Sequence, residues 1–141
     1  MSPSPVAGAD APRHQQRERA LALLYEAELK GVSPLAVLAE LAVRPDPYVR
    51  TLLEGVVARQ AEVDERIGAS SVGWSLDRMA VIDRLVLRLA VAELMADEGP
   101  PTAVVIDEAV ELAKTYSTEE SGAFVNGVLS TIAAEVRESR G

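Results

Sequence analysis

Apolar residues along this chain recur three and four positions apart almost from end to end, the spacing of one face of an α-helix. Leu21, Leu24, Tyr25 and Leu29 form the first such stripe and predict a helix over 13–30, with Gly31 as its stop. Glu28 falls beside the stripe and is expected to turn outward. Ser33-Pro34 puts a capping side chain before proline at the first helical position, which opens a second helix ending at about residue 43. Arg44-Pro45-Asp46-Pro47 breaks it and repeats the same start signal. A third helix is predicted over 47–67 from Val49, Leu52, Leu53, Val56, Val57, Val63 and Ile67. Residues 68–73 read as a loop, Trp74 as a packing residue at its end, and Ser75 as the cap of a short turn through Met79.

The stretch 80–97 is apolar around most of its circumference apart from Asp83, Arg84, Arg88 and Glu93, the pattern of a central, largely buried helix. Gly99-Pro100-Pro101 ends it. Helices over 102–115 and 118–137 follow. Val104-Val105-Ile106 alone would suit a strand, but the Glu108–Lys114 pattern after it favours helix. Ser117 with Glu120 three residues later fits a capping box. Asn126-Gly127 normally marks a turn. Here apolar residues at 125, 128, 129, 132 and 136 keep helical spacing through it. A helix-interior glycine costs about 1 kcal/mol relative to alanine, so a close approach of another backbone or a ligand is expected there. No useful length alternates with period two. The fold class predicted is all-α, with about seven helices.

Length and composition narrow the function. The 141 residues suit one domain, or two small lobes sharing a core, and 48% are hydrophobic. Residues 1–12, rich in Pro, Ser, Ala and Gly, are expected to be a disordered tail, and 13–141 a single helical domain. There is no cysteine, which suits a reducing cytoplasm and removes thiolate metal sites and thiol nucleophiles. A single histidine, His14, leaves almost nothing for histidine-based metal sites or a serine–histidine–aspartate triad. No apolar run approaches the roughly 20 residues of a membrane span, and the first residues do not read as a secretory signal. No glycine-rich phosphate loop is present, so neither catalysis nor a cofactor is expected. Asp107 and Glu111 lie one turn apart with Glu108 beside them, but without fixed partner ligands they read as a solvated face.

The net charge of −8 argues against indiscriminate nucleic-acid binding. The distribution is uneven, however. Arg13, Arg17 and Arg19 sit at the start of the first helix against Glu18 alone. Arg13 and Arg17 are four apart and share a helix face, near a helix N-terminus that attracts anions. They are candidates for gripping phosphate, with His14, Gln15 and Gln16 adding hydrogen bonds; an ordinary solvated terminus is the other reading. Tyr25 and Phe124 are two of five aromatic residues. Such rings stack unpaired bases in RNA-binding proteins, or else pack in a core.

Three segments together resemble the NusB family of bacterial transcription antitermination factors. They are IDEAVELAKTYSTEESGAFVNGVL at 106–129, IDRLVLRLAVAEL at 82–94, and the first-helix start with Arg17-Glu18, Ala20 and Leu24-Tyr25. The resemblance covers about residues 13–136, in order and spacing. It implies two packed helical subdomains and no catalysis. It implies binding of single-stranded boxA-type RNA from ribosomal leaders, together with NusE, a ribosomal small-subunit protein, in an RNA polymerase antitermination complex. It places Arg13, His14, Gln16, Arg17, Tyr25 and Phe124 toward RNA, and Tyr25, Asp83, Glu120 and Phe124 toward the partner. Two departures stand out. The dense arginine run common in the family is diluted here, and Ala92 stands before Glu93-Leu94 where family members often have an aromatic. The diluted run supports an alternative: a helical interaction or dimerisation module with weak or no RNA binding of its own, which leaves a homodimer open.

Overall fold

The fold follows from where the apolar stripes find partners. In the computed structural model, which describes residues 12–71 and 73–140, there are seven α-helices and no strand among the described residues. They are α1 (Arg13–Lys30), α2 (Pro34–Ala39), α3 (Pro47–Ala58), α4 (Gln60–Ser70), α5 (Val81–Met95), α6 (Thr102–Tyr116) and α7 (Glu119–Arg140), with a 3₁₀ turn at Leu76–Arg78 before α5. The disordered tail expected over 1–12 lies outside the described residues except for Pro12, which precedes α1. Helices α1, α2 and α3 pack on one another, and α6 pairs with α7. Helix α5 touches α1, α3, α4, α6 and α7, which makes it the shared core element its all-round apolarity predicts. Leu85, Val86, Leu87, Leu89 and Val91 are all buried, and so are Asp83 and Glu93.

Local signals set most boundaries. Gly31, at φ 67°, ends α1 in the left-handed conformation that favours glycine. Ser33 Oγ accepts from the Leu35 N–H at 3.2 Å, and Asp46 Oδ1 from the Tyr48 N–H at 2.9 Å, each before a proline. Glu28 faces outward as expected, where Arg84 and Arg88 of α5 meet it.

Several details differ from the sequence pattern, among them α4, which runs on through Ser70 into the stretch 68–73 expected as a loop. Helix α2 stops at Ala39, short of residue 43. The helix expected over 47–67 divides at Arg59, whose φ −112° and ψ 12° leave the helical region. The bend lets α3 face α1 and α5 while α4 turns to α5 and α7, which one straight rod could not do. The cap of α7 is Thr118 in place of Ser117: Thr118 Oγ1 accepts from the Ser121 N–H at 3.0 Å, while the Ser117 N–H closes α6 on the Ala113 carbonyl.

Asn126 and Gly127 lie inside α7, both exposed. A Cβ at Gly127 would meet nothing within 4 Å, so no packing inside the chain requires that glycine. At Gly99 a Cβ would come within 2.6 Å of the Glu93 carbonyl oxygen, so that turn has room for glycine alone.

Candidate nucleic-acid interface

The start of α1 is fixed by a polar network reaching two other helices. The Arg13 guanidinium lies 3.7 Å from the Tyr48 ring centroid and donates from Nη1 to Gln16 Oε1 at 2.5 Å. Gln16 Nε2 donates to Asp46 Oδ2 at 2.8 Å, tying α1 to the cap of α3. Arg17 donates from Nε and Nη2 to the two carboxylate oxygens of Glu93 at 2.9 and 3.0 Å. The Tyr48 hydroxyl also donates to Glu93. Burial first, and then this hydrogen bond, push the Tyr48 phenol up to about 12, so it stays a donor.

This arrangement changes the reading of two expected RNA ligands. Arg17 does share a face with Arg13, but its side chain is only 3% exposed and its fork is spent on Glu93, itself 4% exposed. A guanidinium held this way by a buried carboxylate presents no fork to a phosphate. Gln16 is likewise buried. Both hold the helix start in place. Arg13, His14, Gln15 and Arg19 are the exposed members of the run. Among the described residues, Pro12 makes no side-chain cap and the first turn of α1 carries no acidic residue.

His14 bridges to acidic groups around it. Its Nδ1 is 2.9 Å from Glu108 Oε2 on α6, and its Nε2 is 3.6 Å from Glu18 Oε1. The hydrogen bond to Glu108 raises the imidazole above its usual range, burial opposes this, and the charges of Glu18, Glu108 and Glu111 add to the rise. The Tyr116 hydroxyl donates to Glu18 Oε2 at 2.5 Å. Asp107 and Glu111 lie exposed on α6.

A second feature lies where the α5 N-terminus meets the α6–α7 turn. A hollow of about 390 Å³ is lined by Trp74, Arg78, Asp83, Thr118, Glu120 and Phe124, among others. Asp83 is buried at its edge: Oδ2 accepts from Ser121 Oγ at 2.9 Å, and Oδ1 has no hydrogen-bond partner among the described residues. Glu120 is exposed and Phe124 half-buried against the core. Trp74, expected to pack, is 54% exposed at the hollow. Tyr25 is 39% exposed on α1, one turn before the exposed Leu29.

The structure thus gathers Asp83, Glu120 and Phe124 around one hollow and leaves Arg13 and His14 at the open end of α1. Sequence reading missed Tyr48, Glu93 and Ser121, which fix these groups. Tyr48 carried a local signal, as an aromatic directly after the Asp46-Pro47 cap, and so did Glu93, as a charge on an otherwise apolar helix; Ser121 carried none. Among the described residues there is no cluster of three or more side chains able to hold a metal, and no helix long and apolar enough to cross a membrane.

Comparison with known proteins agrees with this architecture. Residues 14–134 match the model of the NusB family. A transcription antitermination protein NusB of Kineococcus radiotolerans is 44% identical over 133 residues, 92% of this chain and 97% of that protein. The structure of T. maritima NusB superimposes with a TM-score of 0.80 at 37% identity, covering 89% of this chain and 92% of that one. A chain in the crystal structure of the antitermination factors NusB and NusE in complex with dsRNA gives a TM-score of 0.71 at 32% identity, covering 87% and 96%. With a family match over most of its length and a relative this similar along nearly the whole of both chains, the chain belongs to the NusB family.

Proposed function

We propose that this chain is an RNA-binding transcription antitermination factor that acts with NusE on single-stranded boxA-type leader RNA, within an RNA polymerase complex in the cytoplasm. The observation that carries the reading is Asp83 Oδ1, a buried carboxylate oxygen without a partner among the described residues, at a hollow flanked by Trp74 and Phe124. A buried acceptor left unpaired costs on the order of 1–3 kcal/mol, and an incoming donor from a base or a partner protein recovers it. The aromatic rings beside it offer faces to unpaired bases.

The work is binding and positioning, with no covalent step. Arg13 and His14 contact phosphate, while Gln16 and Arg17 support them from beneath through Asp46 and Glu93. Tyr25, Asp83, Glu120 and Phe124 serve the partner face, which the exposed Leu29 and Val81 extend. The chain's net charge of −8 repels an RNA backbone over a Debye length of about 8 Å at physiological salt. A basic ribosomal protein docked on the acidic face offsets that repulsion, so RNA affinity is assembled jointly.

The test is fluorescence anisotropy with boxA and scrambled RNA, with and without NusE. Preference for boxA that NusE strengthens supports the proposal. NusE binding without any RNA preference favours the interaction-module reading, for which the exposed Tyr25, Leu29, Val32 and Leu35 speak. In that case sedimentation of the chain alone decides whether the same patch pairs two copies.

A further inference from the structure

The exposed aromatic residues of this chain are few, and one of them has no role in the function proposed above. Tyr116 closes α6 and is 48% exposed. A ring free to swing on a helix end would be a poor platform for a ligand. This ring is tethered: its hydroxyl donates to Glu18 Oε2 at 2.5 Å, across to α1. Its backbone leads directly into Ser117 and Thr118, which line the Trp74–Phe124 hollow. Glu18 in turn faces His14 at 3.6 Å, one turn from the open end of α1. Tyr116 therefore lies between the basic helix start and the hollow, joined to both.

We propose that Tyr116 is a base-stacking residue, a platform for an unpaired base of RNA running from the α1 start to the hollow. The inference rests on the RNA-binding reading above and deepens it. A ring already held by a hydrogen bond loses little freedom when a base stacks on it, which favours affinity. The carboxylates near it do not stand as bare charges: Glu18 is engaged by Tyr116 and His14, and Glu108 by His14 with Arg17 4.0 Å away. Glu18 and Glu108 are therefore already engaged, while Glu111 on α6 stands exposed and charged near His14. Stacking on such a ring is tolerant of base identity, because every base has a π-face.

The experiment uses the full chain with a boxA RNA carrying 2-aminopurine at successive positions, whose fluorescence falls when it stacks. Tyr116→Ala is expected to weaken RNA binding about 5- to 150-fold, the range seen when stacking aromatics are replaced. It restores fluorescence at one or two adjacent positions and leaves the slope of log Kd against log salt unchanged, because no phosphate contact is removed. Tyr116→Phe keeps the ring and is expected to keep the quenching and most of the affinity. NusE binding in the absence of RNA stays at the parent level in both variants. Parent-like affinity and quenching in Tyr116→Ala overturn the inference and leave the RNA-binding reading intact. Loss of NusE binding with RNA binding unchanged overturns it too, assigning the ring to the protein interface. If the parent chain binds no RNA with NusE present, both readings fall together.

Discussion

Arg13 and Arg17 look equivalent in sequence, four residues apart on one face, yet the structure gives them opposite fates under the same substitution. Arg17→Ala leaves the Glu93 carboxylate buried with the Tyr48 hydroxyl as its remaining donor. Breaking a buried ion pair from one side costs about 3–5 kcal/mol, since the stranded charge keeps its desolvation penalty. For a chain of this size that corresponds to a fall in Tm of about 10–20 °C. Arg13→Ala removes an exposed cation stacked on Tyr48, worth about 0.5–1 kcal/mol, or a few degrees. Thermal unfolding followed by circular dichroism reads both. RNA titrations at several salt concentrations, at a temperature where each variant is folded, read the second half of the contrast. Arg13→Ala lowers the salt slope by about one unit and Arg17→Ala leaves it unchanged. The double variant Arg17→Ala/Glu93→Gln recovers more than about 1 kcal/mol, because no buried charge is stranded. An Arg17→Ala protein that melts within about 3 °C of the parent refutes the structural role. One that stays folded but loses a unit of salt slope makes Arg17 a phosphate ligand after all.

Three further outcomes follow from single positions. Gly127→Ala is expected to raise stability by about 0.5–1 kcal/mol in urea unfolding, since the added Cβ meets nothing; a fall would mean that an unseen constraint acts there. Gly99→Ala is expected to destabilise by about 1–3 kcal/mol in the same assay, because its Cβ meets the Glu93 carbonyl oxygen, and unchanged stability would contradict that contact. His14, the only histidine, gives a single imidazole NMR titration with its midpoint above 6.5, and Glu108→Gln moves that midpoint down. Since the folded form holds the proton more tightly, the pair's small contribution to stability is complete below about pH 6.5 and is lost as pH rises through the folded midpoint. A midpoint unmoved by Glu108→Gln would remove the bond from the account.

The helices were legible because their signals are local. Apolar spacing, Ser33-Pro34, Asp46-Pro47 and Gly31 are all read within one or two turns. The break at Arg59 was not, because no proline or glycine marks it; it exists so that α3 and α4 can face different neighbours. The candidate site was legible in its parts only. Composition picks out the arginines and aromatics, and the family motifs pick out Asp83 and Glu120. That Arg17 is buried depends on Glu93, 76 residues away, and on Tyr48 between them. Asp83 owes its single hydrogen bond to Ser121, 38 residues on. Pairings at such separations leave no periodic trace, so a run of cations reads alike whether its members face solvent or carboxylates.

The central claim is that RNA and NusE are bound jointly by a chain whose own charge opposes RNA. The direct measurement is a closed cycle at fixed salt: boxA titrated with NusE absent and saturating, and NusE titrated with boxA absent and saturating. The account predicts that each ligand tightens the other by one and the same factor, about 5- to 150-fold, as linkage between coupled sites requires. Affinities for RNA and for NusE that do not change when the other is bound would contradict it.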